Sequence, residues 1–240
     1  MIKTLIRAVF EKLGCDIRSI KFRNVTVSKH IIKSLFSADE AITIFDVGAH
    51  LGQSASFYRS TFKNSNIYSF EPFQNSFEVL KGLNLTNFKP YNFGLSDEKG
   101  EESFSSNKGS STNSLLSLTL SAKETWGGYE GLNQVERVDC EFTTLDDFCD
   151  ENNVEFIDFL KIDVQGAEFR VLKGANKALS KKRIGVIQLE VILGDTYTGQ
   201  KTPGYYIRLF EDFDYKLAYV SDLVFKKGEL LQFDLFFKLK

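Results

Sequence analysis

From about residue 41 the chain alternates between two hydrophobic rhythms, and that alternation limits the fold more than any other feature. Short runs rich in β-branched and aromatic residues at 41–47, 66–72, 88–95, 156–164 and 184–192 read as buried strands. Between most of them stand segments with helical spacing, namely GQSASFYRSTF, FQNSFEVLKGLNL, TLDDFCDENN, GAEFRVLKGANKAL and PGYYIRLFEDF. Strand, helix, strand at this pace implies right-handed crossovers and an α/β fold, a mostly parallel sheet with helices on both faces. The last stretches, KLAYVSD, LVFKKG and ELLQFDLFFKL, read as strands with tight connections, Lys227-Gly228 marking a hairpin turn. An antiparallel edge is therefore expected to close the sheet. Residues 97–143 interrupt the rhythm with a loop and extra strands, including the polar stretch SSNKGSSTNS.

Composition narrows the function classes. The formal net charge of -2 offers no attraction for nucleic acid or an anionic membrane. The cysteines Cys15, Cys140 and Cys149 are odd in number and lack metal-ligand spacing, which fits a reducing compartment and a cytoplasmic location. The start, MIKTLIRAVFEKLGCDI, is amphipathic, and too short and too charged to span a bilayer. It is expected to belong to an N-terminal helical segment at 1–40 that caps a domain at 41–240. That helix is the one route to membrane contact and the contact surface expected of a homodimer.

Ligands of open α/β sheets bind outside the carboxyl ends of the strands, where strand order reverses. The residues expected there are Asp46, Glu71, Leu95 to Asp97, Asp163 and Glu190, acids at four of five strand ends. After the first strand, IFDVGAHLGQ carries Gly48, Ala49, His50 and Gly52, a turn in which the glycines let the backbone approach a ligand. The helix that follows presents unpaired N–H groups to a negative charge. The pattern D-x-G-x-x-x-G is not the dinucleotide fingerprint, and Asp46 would repel a pyrophosphate while suiting a cationic amino group. Glu71 ends FEP at a distance suited to a ribose diol, and Pro72 then breaks the strand. An amino-acid end and a ribose without phosphate point to S-adenosylmethionine, its adenine over Gly94, Leu95, Ser96 and Asp97. Lys161, inside an otherwise apolar strand, reads as a paired lysine. Asp163 at the tip is the first candidate for a base or acceptor-orienting group, with Glu168, Glu190 and His50 as further candidates. Glu168 alternatively serves as a helix-start charge. No metal is required, although Asp163, Glu168 and Glu190 carry oxygen ligands.

FDVGAHLGQ, FEP, GLSDEKGEESF and TLDDF followed by IDFLKIDVQGAEFRVLKGA together resemble the FkbM-type methyltransferases, a branch of the Rossmann-like S-adenosylmethionine-dependent enzymes. The resemblance covers about residues 41–220 and departs from the common form at His50 and Gln165. It implies a class I fold with a seven-stranded sheet and one antiparallel strand near its edge. It also implies methyl transfer to a hydroxyl of a sugar, glycolipid or polyketide-like acceptor. The acceptor is expected to meet Ser110–Leu115, Glu124–Gly131 and Asp195–Tyr206, with Trp126, Tyr129, Tyr197 and Tyr205 available for stacking. The alternatives are an N- or carboxyl-methyltransferase of the same fold and a non-catalytic cofactor-binding partner subunit. DVQG, where a base-methylating enzyme would show an N/D-P-P-Y/F motif, counts against the first for nucleobases.

Overall fold

The structure is a computed structural model that describes residues 27–240. The amphipathic reading of residues 2–13 and Cys15 lie outside them. Seven strands form the main sheet in the order β3-β2-β1-β7-β8-β10-β9. In chain order these are β1 (Thr43–Val47), β2 (Asn66–Phe70), β3 (Phe88–Tyr91), β7 (Ile157–Ile162), β8 (Ile184–Ile192), β9 (Tyr215–Lys226) and β10 (Glu229–Leu239). The first five run parallel, and β10 runs antiparallel to both β8 and β9. The antiparallel strand is thus one place in from the edge. Lys227 and Gly228, with φ of 50° and 87°, make the left-handed pair that a two-residue hairpin needs.

Helices cover both faces. Against one pack α1 (Ser28–Leu35) and α2 (Gln53–Thr61), through Ile32, Ala55 and Tyr58 onto Ile44, Phe159 and Phe236. Against the other pack α5 (Leu145–Glu151), α6 (Glu168–Lys173), α7 (Asn176–Ser180) and α8 (Pro203–Asp212), through Phe148, Val171, Leu179 and Phe210. Two further helices, α3 (Gln74–Lys81) and α4 (Ala122–Thr125), lie in the connections. Local chemistry sets several boundaries. The Thr144 hydroxyl accepts from Asp147 N at 2.9 Å and caps α5, and Pro203 starts α8. Among the described residues, no helix is long and apolar enough to cross a membrane.

The expected strand at 88–95 divides. Asn92 donates its amide to the carbonyls of Glu71 and Pro72 at 3.1 and 3.2 Å. The chain then leaves β3, and β4 (Gly94–Leu95) joins a second sheet, β4-β6-β5, with β5 (Gly100–Asn107) and β6 (Gln134–Thr143). This small sheet is the expected interruption at 97–143. The expected helix at 166–179 breaks at Gly174, where a side chain would lie 2.0 Å from the Ser96 carbonyl oxygen. KLAYVSD and LVFKKG merge into the single strand β9, which absorbs its irregularities as register shifts against β10.

Candidate active site

Strand β1 lies between β2 and β7, so the chain builds outward in both directions from it. A cavity of about 480 Å³ opens at the carboxyl ends of these strands, as the reversal of strand order dictates. Gly48, Ala49 and His50 line it, as do Glu71, Pro72, Gly94, Leu95, Lys161, Asp163 and Glu190. The turn after β1 is tied to its neighbour, Gly48 N and Ala49 N both donating to the Phe70 carbonyl at 3.1 Å. Gly48 has a φ of 78°, and a Cβ there would lie 1.9 Å from the Asp163 carbonyl oxygen. Its freedom therefore brings β1 and β7 together beneath the cavity.

Glu71 is buried, with Oε2 accepting from His50 N at 2.8 Å and Oε1 from Phe73 N at 3.0 Å. Burial pushes its carboxyl up to about 7 against those two N–H groups. His50 Nε2 shares a hydrogen bond of 2.7 Å with the Ser110 hydroxyl. Burial holds the imidazole below its ordinary range, the Asp163 carboxylate opposing, so it is neutral at pH 7. Glu190 takes N–H groups from Gln165 and Gln232. Burial and the carboxylates of Asp163, Glu168 and Asp234 raise it well above its ordinary range.

Four expected cofactor contacts and one expected catalytic group are placed elsewhere. Asp46 does not line the cavity. It sits one residue inside the strand end and points under the turn, wholly buried, with Oδ1 accepting from Lys161 Nζ at 3.2 Å and Oδ2 unpaired. Lys161 is also 3.4 Å from Asp163 Oδ2; burial pulls its ammonium down, but the two carboxylates outweigh this and hold it well above its usual range. Gly52 makes room for Leu83 and Leu80 rather than for a ligand. Ser96 is buried, its N–H bonded to the Thr143 carbonyl at 2.9 Å, and Asp97 binds Arg170 and Lys173. Glu168 turns into its own loop, Oε1 accepting from Val164 N and Gly166 N at 3.1 and 3.0 Å, so it does not face the cleft with Asp163. Tyr205 packs edge-on against Tyr206, away from the cavity.

The insertion and the late loop form the opposite wall. Trp126, Tyr129 and Tyr197 line it, and Trp126 Nε1 donates to the Thr196 hydroxyl at 2.7 Å. The Tyr197 hydroxyl donates to the Thr112 carbonyl at 2.9 Å. Gln165 and Thr196, in stretches the sequence already singles out, line the cavity, as do Phe142 and Gln232, though nothing in the local sequence of the last two marks them. Gln53 and Ser54, the first residues of α2, face it too. No side chain caps that helix start, which leaves N–H groups for an anion.

Burial raises several carboxyls, among them Glu71 and Glu168 to about 7 and Asp234 to about 8. The folded state then holds protons that the unfolded chain has released, so stability drains away as pH climbs from the usual carboxylate range through these values. The unfolding midpoint is expected to drop by several degrees between about pH 5 and about pH 8.5. Asp234→Asn, which lies outside the cavity, should flatten part of that slope in a pH series of melting curves.

A family model described as "Methyltransferase FkbM domain" matches residues 46–217. The 2-O-methyltransferase NoeI of Sinorhizobium fredii (strain NBRC 101917 / NGR234) is 26% identical over 187 residues, covering 74% of this chain and 73% of that protein. Methyltransferase sdnD of Sordaria araneosa is 30% identical over 156 residues, 56% of this chain and 60% of the other. A crystal structure of methyltransferase FkbM from Methylobacillus flagellatus KT superposes with a TM-score of 0.50 at 14% identity. The match takes in 85% of this chain and 45% of that one, so this chain spans less than half of its length. An rRNA methylase structure from Streptococcus thermophilus gives a TM-score of 0.50 at 11% identity, over 93% of this chain and 100% of that one. At such identities the structures speak for the fold alone.

Proposed function

The chain belongs to the FkbM methyltransferase family, and from that premise we propose that this S-adenosylmethionine-dependent methyltransferase alkylates a hydroxyl of a sugar, glycolipid or polyketide-like acceptor. The observation that carries the reading is one cavity with two unlike walls. The strand-end wall is acidic, with Glu71 and Asp163, and the facing wall offers Ser110, Asn113, Thr196, Trp126 and Tyr197. A zwitterionic nucleoside suits the first, and a neutral hydroxylated acceptor suits the second.

The residues fit S-adenosylmethionine. The uncapped N–H groups at Gln53 and Ser54 suit its carboxylate. Asp163 suits its ammonium group, since Asp46 is already matched to Lys161. Glu71 is the acceptor for the ribose diol, and Gly94, Leu95 and Phe142 offer an apolar slot for adenine. When bound, the cofactor supplies a methyl group on a positively charged sulfur, which an in-line oxygen can take.

An aliphatic hydroxyl must lose its proton as it attacks, and His50 is the group suited to receive it. Its imidazole is neutral and borders the cavity, and the Ser110 hydroxyl on Nε2 marks where an acceptor hydroxyl would bind. Glu190 is buried and has both oxygens occupied by the amides of Gln165 and Gln232, which ties it into the wall rather than leaving it as a base. Asp163 balances the positive charge of the cofactor's amino-acid end beside it.

The test is a thermal-shift titration with S-adenosylhomocysteine and with NAD, followed by a panel of methyl glycosides assayed for methyl transfer. At a hundred times its dissociation constant, S-adenosylhomocysteine should add about 2.7 kcal/mol, a rise of about 5–10 °C for a chain this size. Glu71→Ala should remove most of the rise. A shift with NAD alone would sink the cofactor reading, and transfer only to amines or carboxylates would replace the hydroxyl reading.

A further inference from the structure

Gln165 has a left-handed backbone with a φ of 56°, a conformation uncommon outside glycine and asparagine. Its neighbours hold it there through four contacts. Nε2 donates to Asp163 Oδ1 at 3.1 Å and to Glu190 Oε2 at 2.6 Å. Oε1 lies 3.3 Å from the Tyr197 hydroxyl, which shares its proton with the nearer Thr112 carbonyl, and the main-chain carbonyl accepts from the Ser114 hydroxyl at 2.7 Å. These partners come from the end of β7, the end of β8, the late loop and the insertion. One residue therefore joins the wall read as the cofactor's to the wall read as the acceptor's.

The amide suits this place. Its two N–H groups meet two carboxyls, whereas a carboxylate side chain would set a third acid against them. Asp163 is gripped from both sides, Oδ1 by Gln165 and Oδ2 by Lys161 at 3.4 Å. Lys161 is itself fixed by Asp46. Strained backbone at the centre of a polar network is a mark of a functional site.

We propose that Gln165 is a positioning residue, which aims the Asp163 carboxylate at the cofactor's ammonium group and locks it to Glu190, Tyr197 and Ser114. The proposal rests on the reading of the cavity as an S-adenosylmethionine site. It separates from a purely structural role because the left-handed backbone can be kept while the amide is lost. Gln165→Gly removes the side chain and favours that φ, and Gln165→Asn retains the preference with an amide one carbon shorter.

Binding is measured by calorimetry for two probes. S-adenosylhomocysteine has the amino-acid end, and 5′-methylthioadenosine keeps the adenosine and sulfur without it. Both variants should stay folded, the relief of backbone strain offsetting part of the lost hydrogen bonds, and melt within several degrees of wild type. Their affinity for S-adenosylhomocysteine should fall about tenfold or more, the scale of one charge-assisted contact, with 5′-methylthioadenosine unchanged to within about twofold. Asp163→Asn should weaken S-adenosylhomocysteine likewise, and the Asp163→Asn, Gln165→Gly double variant should lose no more than Asp163→Asn alone. Equal losses for both probes, no loss, or an additive loss in the double variant would each overturn the proposal while leaving the cofactor reading intact. A wild-type protein that binds neither probe overturns the cofactor reading and the proposal with it.

Discussion

Gly48→Ala should remove about 3–5 kcal/mol of stability, combining backbone strain with a clash that side-chain rotation cannot relieve. The added Cβ would meet the Asp163 carbonyl oxygen at 1.9 Å, and main chain on both sides has little room to yield. Gly48 is anchored to the Phe70 carbonyl, and Asp163 N donates to the Val47 carbonyl at 3.1 Å. The melting midpoint should drop by about 10 °C for a chain of this size. Gly199→Ala is the matched control: its φ of 84° is equally left-handed, with nothing within 4 Å of the added atom. It should cost only about 1 kcal/mol, the strain alone. Equal losses at the two glycines would show that the contact between β1 and β7 has slack. The surviving fraction of Gly48→Ala should also bind S-adenosylhomocysteine poorly, because Asp163 moves with its own carbonyl.

Lys161→Met is expected to be almost as damaging, by a different route. Asp46 is wholly buried, and among the described residues Lys161 is its only oppositely charged partner. Without the ammonium group, a carboxylate is stranded in the core, which costs about 3–5 kcal/mol. Burial already pushes the Asp46 carboxyl up, and Lys161 is what pulls it back. In the variant the folded value climbs further above the unfolded one. Stability is then greatest at low pH and is lost as pH rises toward that folded value. Adding Asp46→Asn should recover most of the loss, since a neutral amide needs no countercharge. Urea melts of the single and double variants across pH measure both effects; a pH-independent loss that Asp46→Asn does not repair would refute the buried-pair account.

The architecture was legible because the strands are short apolar runs and the crossovers carry helical spacing. Both patterns are set by burial, which composition records residue by residue. The site was less so. Asp46 stands in the sequence where a ligand contact is expected, yet the side chains of a strand alternate between faces. A single residue at the tip decides which one looks outward, and β1 runs on to Val47. Glu168 misled for a related reason. An acid in the first turn of a helix looks the same in sequence whether it faces the cleft or, as here, the N–H groups of Val164 and Gly166. Gln165 and Tyr197 stand 32 positions apart, and no local pattern records a contact made only when the fold closes. The run at 88–95 read as one strand because its strand propensity is continuous. The amide of Asn92, bonded to two carbonyls, divides it.

The indole that donates to Thr196 is the only tryptophan in the sequence. All tryptophan emission from this protein therefore originates at Trp126, on the wall read here as the acceptor's. An acceptor that displaces water there changes the polarity around that one ring, whereas occupancy of the strand-end wall alone leaves the ring's immediate neighbours in place. A library of unlabelled sugars and glycolipids can thus be screened by fluorescence on the unmodified chain, before any product of the reaction has been identified.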